Sequence, residues 1–418
     1  MTACFAVAAA TYAPDDLRCI PGSRYSLQLH RHIRAIDDWS VATDPDNGFL
    51  QADFLAAVEA APAEGATPFY AVFYDDGHRP VGVAVLQVQH YDAPASLRSE
   101  LQVAASGWWQ RAIGWGRMQV ARAASFHAFV CGNLLLSGEH GFYFHPQSVS
   151  RDEAIALMQK AMPVLRKGLQ QLVGHRIALS FVKDIAADAP ATALAADGYT
   201  EFEVQPVMEM RLDPAWHTYE DYLAAMTSKY RTRARRARKK LGSITRKRLY
   251  SEHLQAYRNR MMELYGRVAA SSGFNLVTLT DSYFLALEAE LGDTFRCTGY
   301  FEGGELVGFT TTILQHGHME AHYLGFEPTL NATHQLYLNM LYDMIEQGID
   351  RRAREINFSR TALEIKSSVG ATPRDYKLYL KHANPILNAL LPLALRILKP
   401  EEPWQPRHPF KGVVNGEW

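Results

Sequence analysis

The chain contains one pattern of β-rich and helical segments twice. Each copy opens with two β-rich runs joined by a short turn that contains glycine, which is typical of a β-hairpin. The second run resumes with Val-Gly in both copies, at Val81 and at Val307. A further β-rich stretch, a long helix and a short strand follow, at 142–144, 152–172 and 176–182 in the first copy and at 319–326, 333–351 and 355–358 in the second. The sequence therefore predicts two tandem copies of one α/β unit.

The join between the two copies is predicted near Leu212–Thr218, because Asp213-Pro214 interrupts the strand that precedes it. This boundary gives an N-terminal domain over residues 1–212 and a C-terminal domain over residues 213–418. The first copy is longer, and its extra residues centre on a Trp-rich stretch at 106–122.

Composition excludes several classes of protein. The 418 residues are 48% hydrophobic and 21% charged, which argues against a disordered or fibrous chain. The net charge of −1 creates no overall attraction for nucleic acid or an anionic membrane, although a local patch still can. No apolar run reaches the length of a membrane span, and the N-terminus lacks the basic start of a signal peptide, so we expect a cytoplasmic protein.

The four cysteines are far apart and form no Cys-x-x-Cys pair, which argues against a zinc ribbon or a dithiol redox motif. We expect them to be buried free thiols in a reducing compartment. They are Cys4, Cys19, Cys131 and Cys297.

A strongly basic segment follows the join. Residues 219–241 are predicted to form one long helix, whose apolar stripe at intervals of three and four should face the protein. The stripe is Leu223, Met226, Tyr230, Ala234, Ala237 and Leu241. Lysine and arginine crowd the other faces between Lys229 and Lys240, where they repel one another unless negative charge faces them. Three interpretations remain open: binding of RNA phosphates, binding of a phosphorylated cofactor or acidic acceptor, and a solvated face that pairs with acidic loops.

Two segments carry candidate chemistry in the second copy. In the first, a short strand ends at Phe358, and Arg360, Glu364 and Lys366 follow it. Ligands often bind where a strand feeds a helix in α/β proteins. Arg360 could grip a carboxylate or phosphate, and Glu364 could orient Arg360 or act as a base. The alternative is a structural Arg–Glu pair at a helix start.

The second segment is a predicted strand in which His318, Glu320 and His322 share one face. Three interpretations remain open: metal ligands, a general base, and a hydrogen-bonded strand face. In the first copy, the glycines around Asn133 in residues 129–141 fit either a close approach to a ligand or a turn between strands. The chain has no P-loop, GxGxxG, GxSxG or HExxH motif, which disfavours kinases, Rossmann dehydrogenases, α/β-hydrolases and zincins.

Taken in order, the hairpin, long strand, helix and short strand resemble the fold of GNAT acyltransferases. Two such units in tandem resemble the Fem-like (peptidoglycan aminoacyl transferase) branch and related bacterial N-acyltransferases. The resembling segments are residues 131–141, 198–208, 222–231 and 358–370. The resemblance implies an α/β (α+β) fold of two tandem GNAT-like domains, with mixed, mostly antiparallel sheets flanked by helices.

The resemblance also implies an activity, which is transfer of an acyl group from an acyl-CoA to an amine by direct attack of the amine nitrogen. It implies acyl-CoA as co-substrate, a small-molecule or peptide amine as acceptor, no tightly bound cofactor and no metal. Two alternatives remain open. One is an aminoacyl-tRNA-dependent, Fem-like transferase in cell-envelope or peptide modification, and the other is a non-catalytic, tandem GNAT-like binding protein.

Roles for individual residues follow from the resemblance. Glu320 or His322 is expected to take the proton, with Tyr323 as an acid or oxyanion partner and Glu364 as an orienting carboxylate. Arg360, Lys366 and Asn133 are expected to bind substrate. The residues expected to bind the phosphorylated donor are Arg231, Arg235, Lys239, Asn331 and Thr333, the last as a helix N-cap.

The chain departs from the family pattern at the loop before that helix. Residues 327–334 lack the glycines of the usual pyrophosphate loop, which puts ordinary acetyl-CoA binding in doubt. Near the C-terminus, apolar residues 385–398 are too few to span a membrane. They are expected either to dock on the protein or to make a peripheral membrane contact.

Overall fold

The computed structural model describes residues 17–91, 126–189, 191–271, 277–398 and 404–411. Within these ranges the chain forms two sheets with helices packed on them. The strands, in chain order, are β1 (Arg18–Cys19), β2 (Ser26–His30), β3 (Ala66–Tyr74), β4 (Pro80–Tyr91), β5 (Phe126–Cys131), β6 (Phe142–Phe144), β7 (Ile177–Ala186), β8 (Thr200–Glu203), β9 (Val207–Arg211), β10 (Thr245–Leu249), β11 (Phe295–Glu302), β12 (Glu305–Gln315), β13 (His318–Phe326), β14 (Glu355–Asn357), β15 (Thr372–Arg374) and β16 (Tyr376–His382).

The helices are, in chain order, α1 (Trp39–Ala42), α2 (Ala52–Ala60), α3 (Arg151–Val173), α4 (Thr192–Ala196), α5 (Tyr219–Ala225), α6 (Ser228–Leu241), α7 (Ser251–Ser271), α8 (Tyr283–Leu291), α9 (Pro328–His334), α10 (Leu336–Asp350), α11 (Leu363–Ser367) and α12 (Pro385–Leu398). Local sequence sets some of their ends. Helix α3 begins at a capping box formed by Ser150 and Glu153, and it ends at Gly174 in the left-handed conformation.

Both sheets are mainly antiparallel. The first has the strand order β1-β2-β3-β4-β5-β7-β16-β8, with β6 paired to the start of β4. The second has the order β10-β11-β12-β13-β14-β9-β15. Each sheet contains one parallel pair, β5–β7 in the first and β13–β14 in the second, among the described strands. The predicted α/β fold with two tandem, mostly antiparallel halves is confirmed.

The two halves exchange strands. Strand β9 precedes the predicted boundary at residue 212, yet it pairs with β14 and β15 in the second sheet. Strand β16 comes from the second half, yet it lies between β7 and β8 in the first sheet. The boundary itself stays a prediction, and these two strands cross it.

Both predicted hairpins form, as β3–β4 and β11–β12. A side chain does not fit at Gly82, because a Cβ there would overlap the Phe144 ring and lie 2.6 Å from the Tyr143 carbonyl oxygen. At Gly308, a Cβ would lie 2.5 Å from Met340 Cε, so the end of the Met340 side chain would have to move. The predicted equivalence of residues 142–144 with 319–326 is wrong. Strand β5 is the counterpart of β13, since each pairs antiparallel with its hairpin and parallel with the next strand.

The basic segment is not one helix. It breaks between α5 and α6, where Met226 and Thr227 are extended. Met226 bridges to Phe410, and the Thr227 N–H donates to the Pro409 carbonyl at 2.8 Å. A contact with a segment far along the chain therefore interrupts the predicted helix. The apolar stripe does face the protein, because Leu223, Met226, Ala234, Ala237 and Leu241 are buried, with Tyr230 half-buried.

One apolar core joins the halves. It contains Phe54 and Leu55 of α2 from the first half and Tyr283 and Leu287 of α8 from the second. Helix α3 packs on the first sheet in a second core, and α10 and α6 pack on the second sheet in a third. The other face of β10, β11 and β12 contributes to the shared core through residues such as Phe295, Phe309 and Ile313.

Helix α12 docks through Leu395, which is buried, and leaves four apolar side chains exposed: Ile386, Leu387, Leu390 and Leu393. A membrane contact there stays a prediction. No described helix combines the length and apolarity needed to cross a bilayer. Cys131 and Cys297 are buried free thiols as predicted, whereas Cys19 is exposed, contrary to that prediction. Cys4 and the Trp-rich stretch 106–122 lie outside the described residues.

Candidate active site

The ends of two equivalent strands meet where the halves join. In the first half, Lys183 and Asp184 lie near the end of β7, and in the second half, β14 ends at Asn357 and the turn 358–362 follows. Asp184 and Ser359 both have positive φ values, of 56° and 59°, which non-glycine residues rarely adopt. Asn357 Nδ2 donates to the Ser137 carbonyl of the first half at 2.9 Å. The predicted strand-end site of the second half therefore faces a matching strand end.

Arg360 ties the two strand ends together. Its Nη2 donates to Asp184 Oδ1 at 2.5 Å, and its Nη1 donates to Ser137 Oγ at 3.1 Å. Its Nε donates to the Gln205 carbonyl at 3.0 Å. All three guanidinium nitrogens thus bind the protein itself. The arrangement is that of a tether between the halves, and the predicted role of Arg360 in gripping a ligand anion stays a prediction.

The charges of this tether are buried. The Asp184 carboxylate also accepts from the Gly138 N–H at 2.9 Å and from the Lys183 ammonium. Burial by itself would raise the pKa of Asp184, but the charges of Lys183 and Arg360 outweigh it and hold the pKa below its ordinary value. Asp184 is therefore the ionised centre of the network.

Lys366 stabilises the turn 358–362 through hydrogen bonds to its backbone carbonyls. It is buried, and its Nζ donates to the Arg360 carbonyl at 2.5 Å and to the Ser359 carbonyl at 3.4 Å. Burial lowers the pKa of Lys366 to about 7. The side chain is thus engaged with the backbone of the turn, and its predicted role in substrate binding stays a prediction.

The predicted pairing of Glu364 with Arg360 is wrong. Glu364 is exposed and pairs with Arg407 at 3.1 Å, and it accepts the Gln405 N–H. Two residues four apart meet on a helix, but the chain between them is a turn with positive φ at Thr361 and Ala362. The carboxylate that holds Arg360 comes from the other half.

A cavity of about 230 Å³ lies between the halves. The first half contributes the loops 44–49 and 137–140, and the second sheet contributes residues of β13, β14, β9 and β15. Glu320 of β13 lines this cavity and is 2% exposed. Its carboxyl forms no hydrogen bond or ion pair with the described part of the chain. A buried carboxyl without a partner, facing a cavity, is available to a ligand.

Burial raises the pKa of Glu320 well above its ordinary value, and the nearby Glu209 carboxylate adds to this, while Lys183, Lys366 and Arg360 oppose it. Burial also raises the pKa of Glu209, which receives a hydrogen bond from the Tyr376 hydroxyl at 3.1 Å. A carboxylate with a raised pKa is a stronger base than an exposed one, and such groups are common at catalytic sites.

His322 and Tyr323, the other predicted catalytic residues, point elsewhere. His322 Nε2 lies 2.7 Å from the Tyr283 hydroxyl, and burial lowers the pKa of His322 to about 3. The Tyr323 hydroxyl donates to the Leu135 carbonyl at 3.3 Å. Neither residue is among those of the described chain that line the cavity around Glu320. Of the three predicted catalytic residues, Glu320 is the one whose position fits a proton acceptor.

The predicted donor-binding residues lie along α6 and in α9, which precedes α10. Thr333 is inside α9, so it is not the predicted N-cap; Gln335 takes that position with φ +48°. Asn331 Oδ1 accepts the Tyr337 N–H at 3.0 Å, which closes the first turn of α10. The chain bends at Gln335 between α9 and α10, so the N-cap of α10 lies two residues after the predicted position, Thr333.

Along α6, the predicted anion-binding cations differ in what they contact. Arg231 donates to the Met226 carbonyl at 3.4 Å, and Arg235 pairs with Glu220 at 3.4 Å. Lys239 is exposed and lies near the end of α6. At this end, the Ala237 carbonyl of α6 accepts a hydrogen bond from Asn339 of α10. The roles of these cations stay predictions.

Asn133 is buried in the turn after β5, where its Oδ1 accepts the Leu135 N–H at 2.9 Å. Its Nδ2 finds no hydrogen-bond partner in the described structure. This favours the interpretation of the segment as a turn, and substrate binding by Asn133 stays a prediction.

Sequence reasoning missed four residues of the site: Ser137, Lys183, Asp184 and Glu209. Lys183 and Asp184 directly follow the predicted strand 176–182, so the strand-end argument applied to Asn357 also applies to them. No local sequence signal identifies Glu209 as a site residue, because its place in the second sheet results from strand exchange.

Comparisons with known proteins agree with this architecture. Residues 228–377 match the family model described as "Acetyltransferase (GNAT) domain". No curated protein matches the chain. Among solved structures, FemX is 13% identical with a TM-score of 0.50, over 87% of this chain and 99% of that one. At this identity, the similarity shows the fold alone.

Two further solved structures are similar with lower TM-scores. A tandem GNAT protein from the clavulanic acid biosynthesis pathway is 14% identical with a TM-score of 0.48, over 86% of this chain and 99% of that one. A GCN5-related N-acetyltransferase from Sphaerobacter thermophilus is 12% identical with a TM-score of 0.41, over 86% and 96%. Residues 228–377 thus match a GNAT domain model, and the chain as a whole has the fold of two GNAT-like halves in tandem.

Proposed function

We propose that this protein is an N-acyltransferase that moves an acyl group from an acyl-CoA to an amine in the cavity between its halves. The observation that carries the proposal is Glu320, a buried and unpartnered carboxyl that lines this cavity. It lies on β13, inside the segment that matches the GNAT domain. Glu320 is the general base, and Arg360, Asp184 and Lys366 hold the adjoining turn in place.

The chemistry needs one proton acceptor and one position for the attacking nitrogen. The Glu320 carboxylate takes a proton from the acceptor amine, and the nitrogen attacks the thioester carbonyl. The new C–N bond forms as the C–S bond breaks, and the thiolate of CoA leaves and takes up a proton. Because the raised pKa of Glu320 brings it closer to that of an ammonium group, the proton transfer costs less than it would to an exposed carboxylate.

The geometry of the second sheet supports a donor site beside Glu320. Strands β13 and β14 pair only from His318↔Glu355 to Glu320↔Asn357 within the described chain, although β13 continues to Phe326. Strand β14 ends at Asn357, so this edge of β13 has no parallel partner strand beyond Glu320, and we propose that the extended arm of the acyl-CoA lies along it. We assign the donor phosphates to Lys239, because its end of α6 lies beside the start of α10.

The test is Glu320→Gln, which keeps the size of the side chain and removes the base. We expect release of CoA thiol from an acyl-CoA panel with mixed amines to fall roughly 10²–10⁴-fold. The matched control is Glu305→Gln. It removes the same charge as Glu320→Gln, but from a residue that is exposed at the β11–β12 turn. Unchanged turnover in a folded Glu320→Gln variant would contradict the proposal.

The pH dependence gives an independent measurement. Glu320 must be ionised to act as a base, and its pKa is raised, so kcat/KM should fall as the pH drops through a value above the ordinary carboxyl range of about 4.3. In Glu320→Gln, this acid limb should disappear from the residual activity.

An aminoacyl-tRNA-dependent transferase is the second candidate. The observation that favours it is the basic surface of α6, which consists of Lys229, Arg233, Arg236, Lys239 and Lys240. These side chains are exposed and form no ion pair within the described chain. If tRNA binds there, its affinity should fall steeply with salt and should weaken in Arg233→Gln/Arg236→Gln. Binding of acyl-CoA with no binding of tRNA would exclude this candidate.

A further inference from the structure

The cavity around Glu320 is acidic. Six of its wall residues carry carboxyl groups: Asp44, Asp46, Glu139, Glu209, Glu320 and Glu355. They come from two loops of the first half and three strands of the second sheet, so no single segment of sequence reveals the cluster. Arg374 is the one lysine or arginine among its wall residues in the described structure.

Two of the six carboxylates are paired within the protein. Glu209 pairs with Arg374 at 3.4 Å, and Glu355 lies 2.6 Å from His318 Nδ1. The other four have no ion pair with the described residues. Asp44 accepts the Asp46 N–H at 3.0 Å, and Glu139 accepts the Ala186 N–H at 3.1 Å, but these backbone contacts bring no full positive charge.

The unpaired carboxylates are arranged by depth. Glu320 is buried at the floor, whereas Asp46 and Glu139 are exposed and Asp44 is half-buried, as expected for groups at a mouth. A cleft lined by charge of one sign attracts ligands of the other sign. One ammonium group would satisfy Glu320, and the three carboxylates at the mouth would then face a second cation.

We infer that the acyl acceptor is an aliphatic diamine or polyamine. One amine reaches Glu320 and is acylated, while a second, protonated amine lies among Asp44, Asp46 and Glu139. This inference rests on the proposed function, because it identifies the nitrogen at Glu320 as the one that attacks. A carboxylate on the acceptor would meet charge of its own sign at the mouth, so a free diamine is favoured over a diamino acid.

A metal ion does not explain the cluster. Among the described residues, no group of three or more His, Cys, Asp or Glu side chains is placed to hold one. The carboxylates are spread along the cavity from floor to mouth, which suits an extended cation better than a single ion.

The experiment is calorimetric titration of the full chain, without acyl donor and at low ionic strength. The probes are putrescine, butylamine, ornithine and Mg²⁺. We expect putrescine to bind about tenfold more tightly than butylamine, as one further charge-assisted contact provides, and more tightly than ornithine. Asp46→Asn should weaken putrescine binding and leave butylamine binding unchanged. The control Glu305→Gln removes the same charge at a distant turn and should change neither.

The outcomes separate this inference from the proposed function. Equal affinity for putrescine and butylamine, no binding of either, displacement of putrescine by Mg²⁺ at equal concentration, or equal effects of Asp46→Asn and Glu305→Gln would overturn the inference. Acyl transfer that is equally fast to both amines would also overturn it while leaving the proposed function standing. Putrescine binding as expected, with no transfer from any acyl-CoA, would overturn the proposed function and the role of the diamine as acyl acceptor, and would leave only the diamine-binding site standing.

Discussion

At the scale of single residues, the site depends on which charged groups meet across the two halves. Arg360 binds Asp184, which is 176 positions away in sequence, and not Glu364, which is four positions away. Asp184 is fully buried, and the Arg360 side chain is 18% exposed. Removal of one partner of such a pair leaves the other as an uncompensated buried charge, which costs far more than loss of a surface pair.

A double-mutant cycle tests this pairing. We expect Arg360→Met to lower the free energy of unfolding by about 3 kcal/mol, since it removes the Arg360 hydrogen bonds to the buried Asp184 charge and leaves Lys183 and the Gly138 N–H as its partners. Its coupling energy with Asp184→Asn, measured by denaturant unfolding, should be about 2 kcal/mol. Its coupling with Glu364→Gln should be negligible. A larger coupling with Glu364 than with Asp184 would show that the tether is assigned to the wrong carboxylate.

At the scale of elements, the turn 358–362 is a strained connection between β14 and α11. Ser359, Thr361 and Ala362 have φ values of 59°, 68° and 48°. Asn357 Oδ1 accepts the Ser359 N–H at 2.7 Å, and Lys366 holds the carbonyls from the other side. Strain of this kind persists where surrounding contacts determine the backbone, and it is frequent at functional sites.

Substitutions at Ala362 measure that strain. Ala362 is exposed, so its side chain contributes little packing. Glycine removes a left-handed penalty of about 1–2 kcal/mol, partly offset by about 0.5–1 kcal/mol of added unfolded-state entropy. We therefore expect Ala362→Gly to be slightly more stable than the wild type and Ala362→Val, with its β-branched side chain, to be less stable by roughly 1–2 kcal/mol. Equal unfolding midpoints for the two variants would indicate that the turn is relaxed in solution.

At the scale of the whole molecule, exchange of β9 and β16 makes each sheet depend on both halves. The second half alone would lack β9, which lies between β14 and β15, and the first half alone would lack β16 between β7 and β8. Each separated half would expose unpaired backbone groups and part of the shared apolar core.

We therefore expect residues 1–212 and 213–418, expressed separately, to show no cooperative unfolding transition by circular dichroism. The full chain should unfold in one transition, because neither sheet can persist without the other half. Co-expression of the two fragments should recover folded material. Two separate transitions in the full chain, or a cooperative transition in either fragment, would show that the halves are independent domains.

Local sequence patterns specify the individual helices and hairpins and their repetition. The hairpins β3–β4 and β11–β12 and helix α3 formed as predicted, because turn glycines, β-rich runs and caps act over a few residues. The predicted helix 219–241 failed where Met226 meets Phe410, and Arg360 acquired Asp184 as its partner, through contacts that no local pattern encodes. Strand exchange and the acidic cavity likewise result from contacts between distant segments. The physical reason is that backbone propensity acts between neighbours in sequence, whereas charge pairing, strand order and cavities depend on which distant segments are brought together when the shared core is buried.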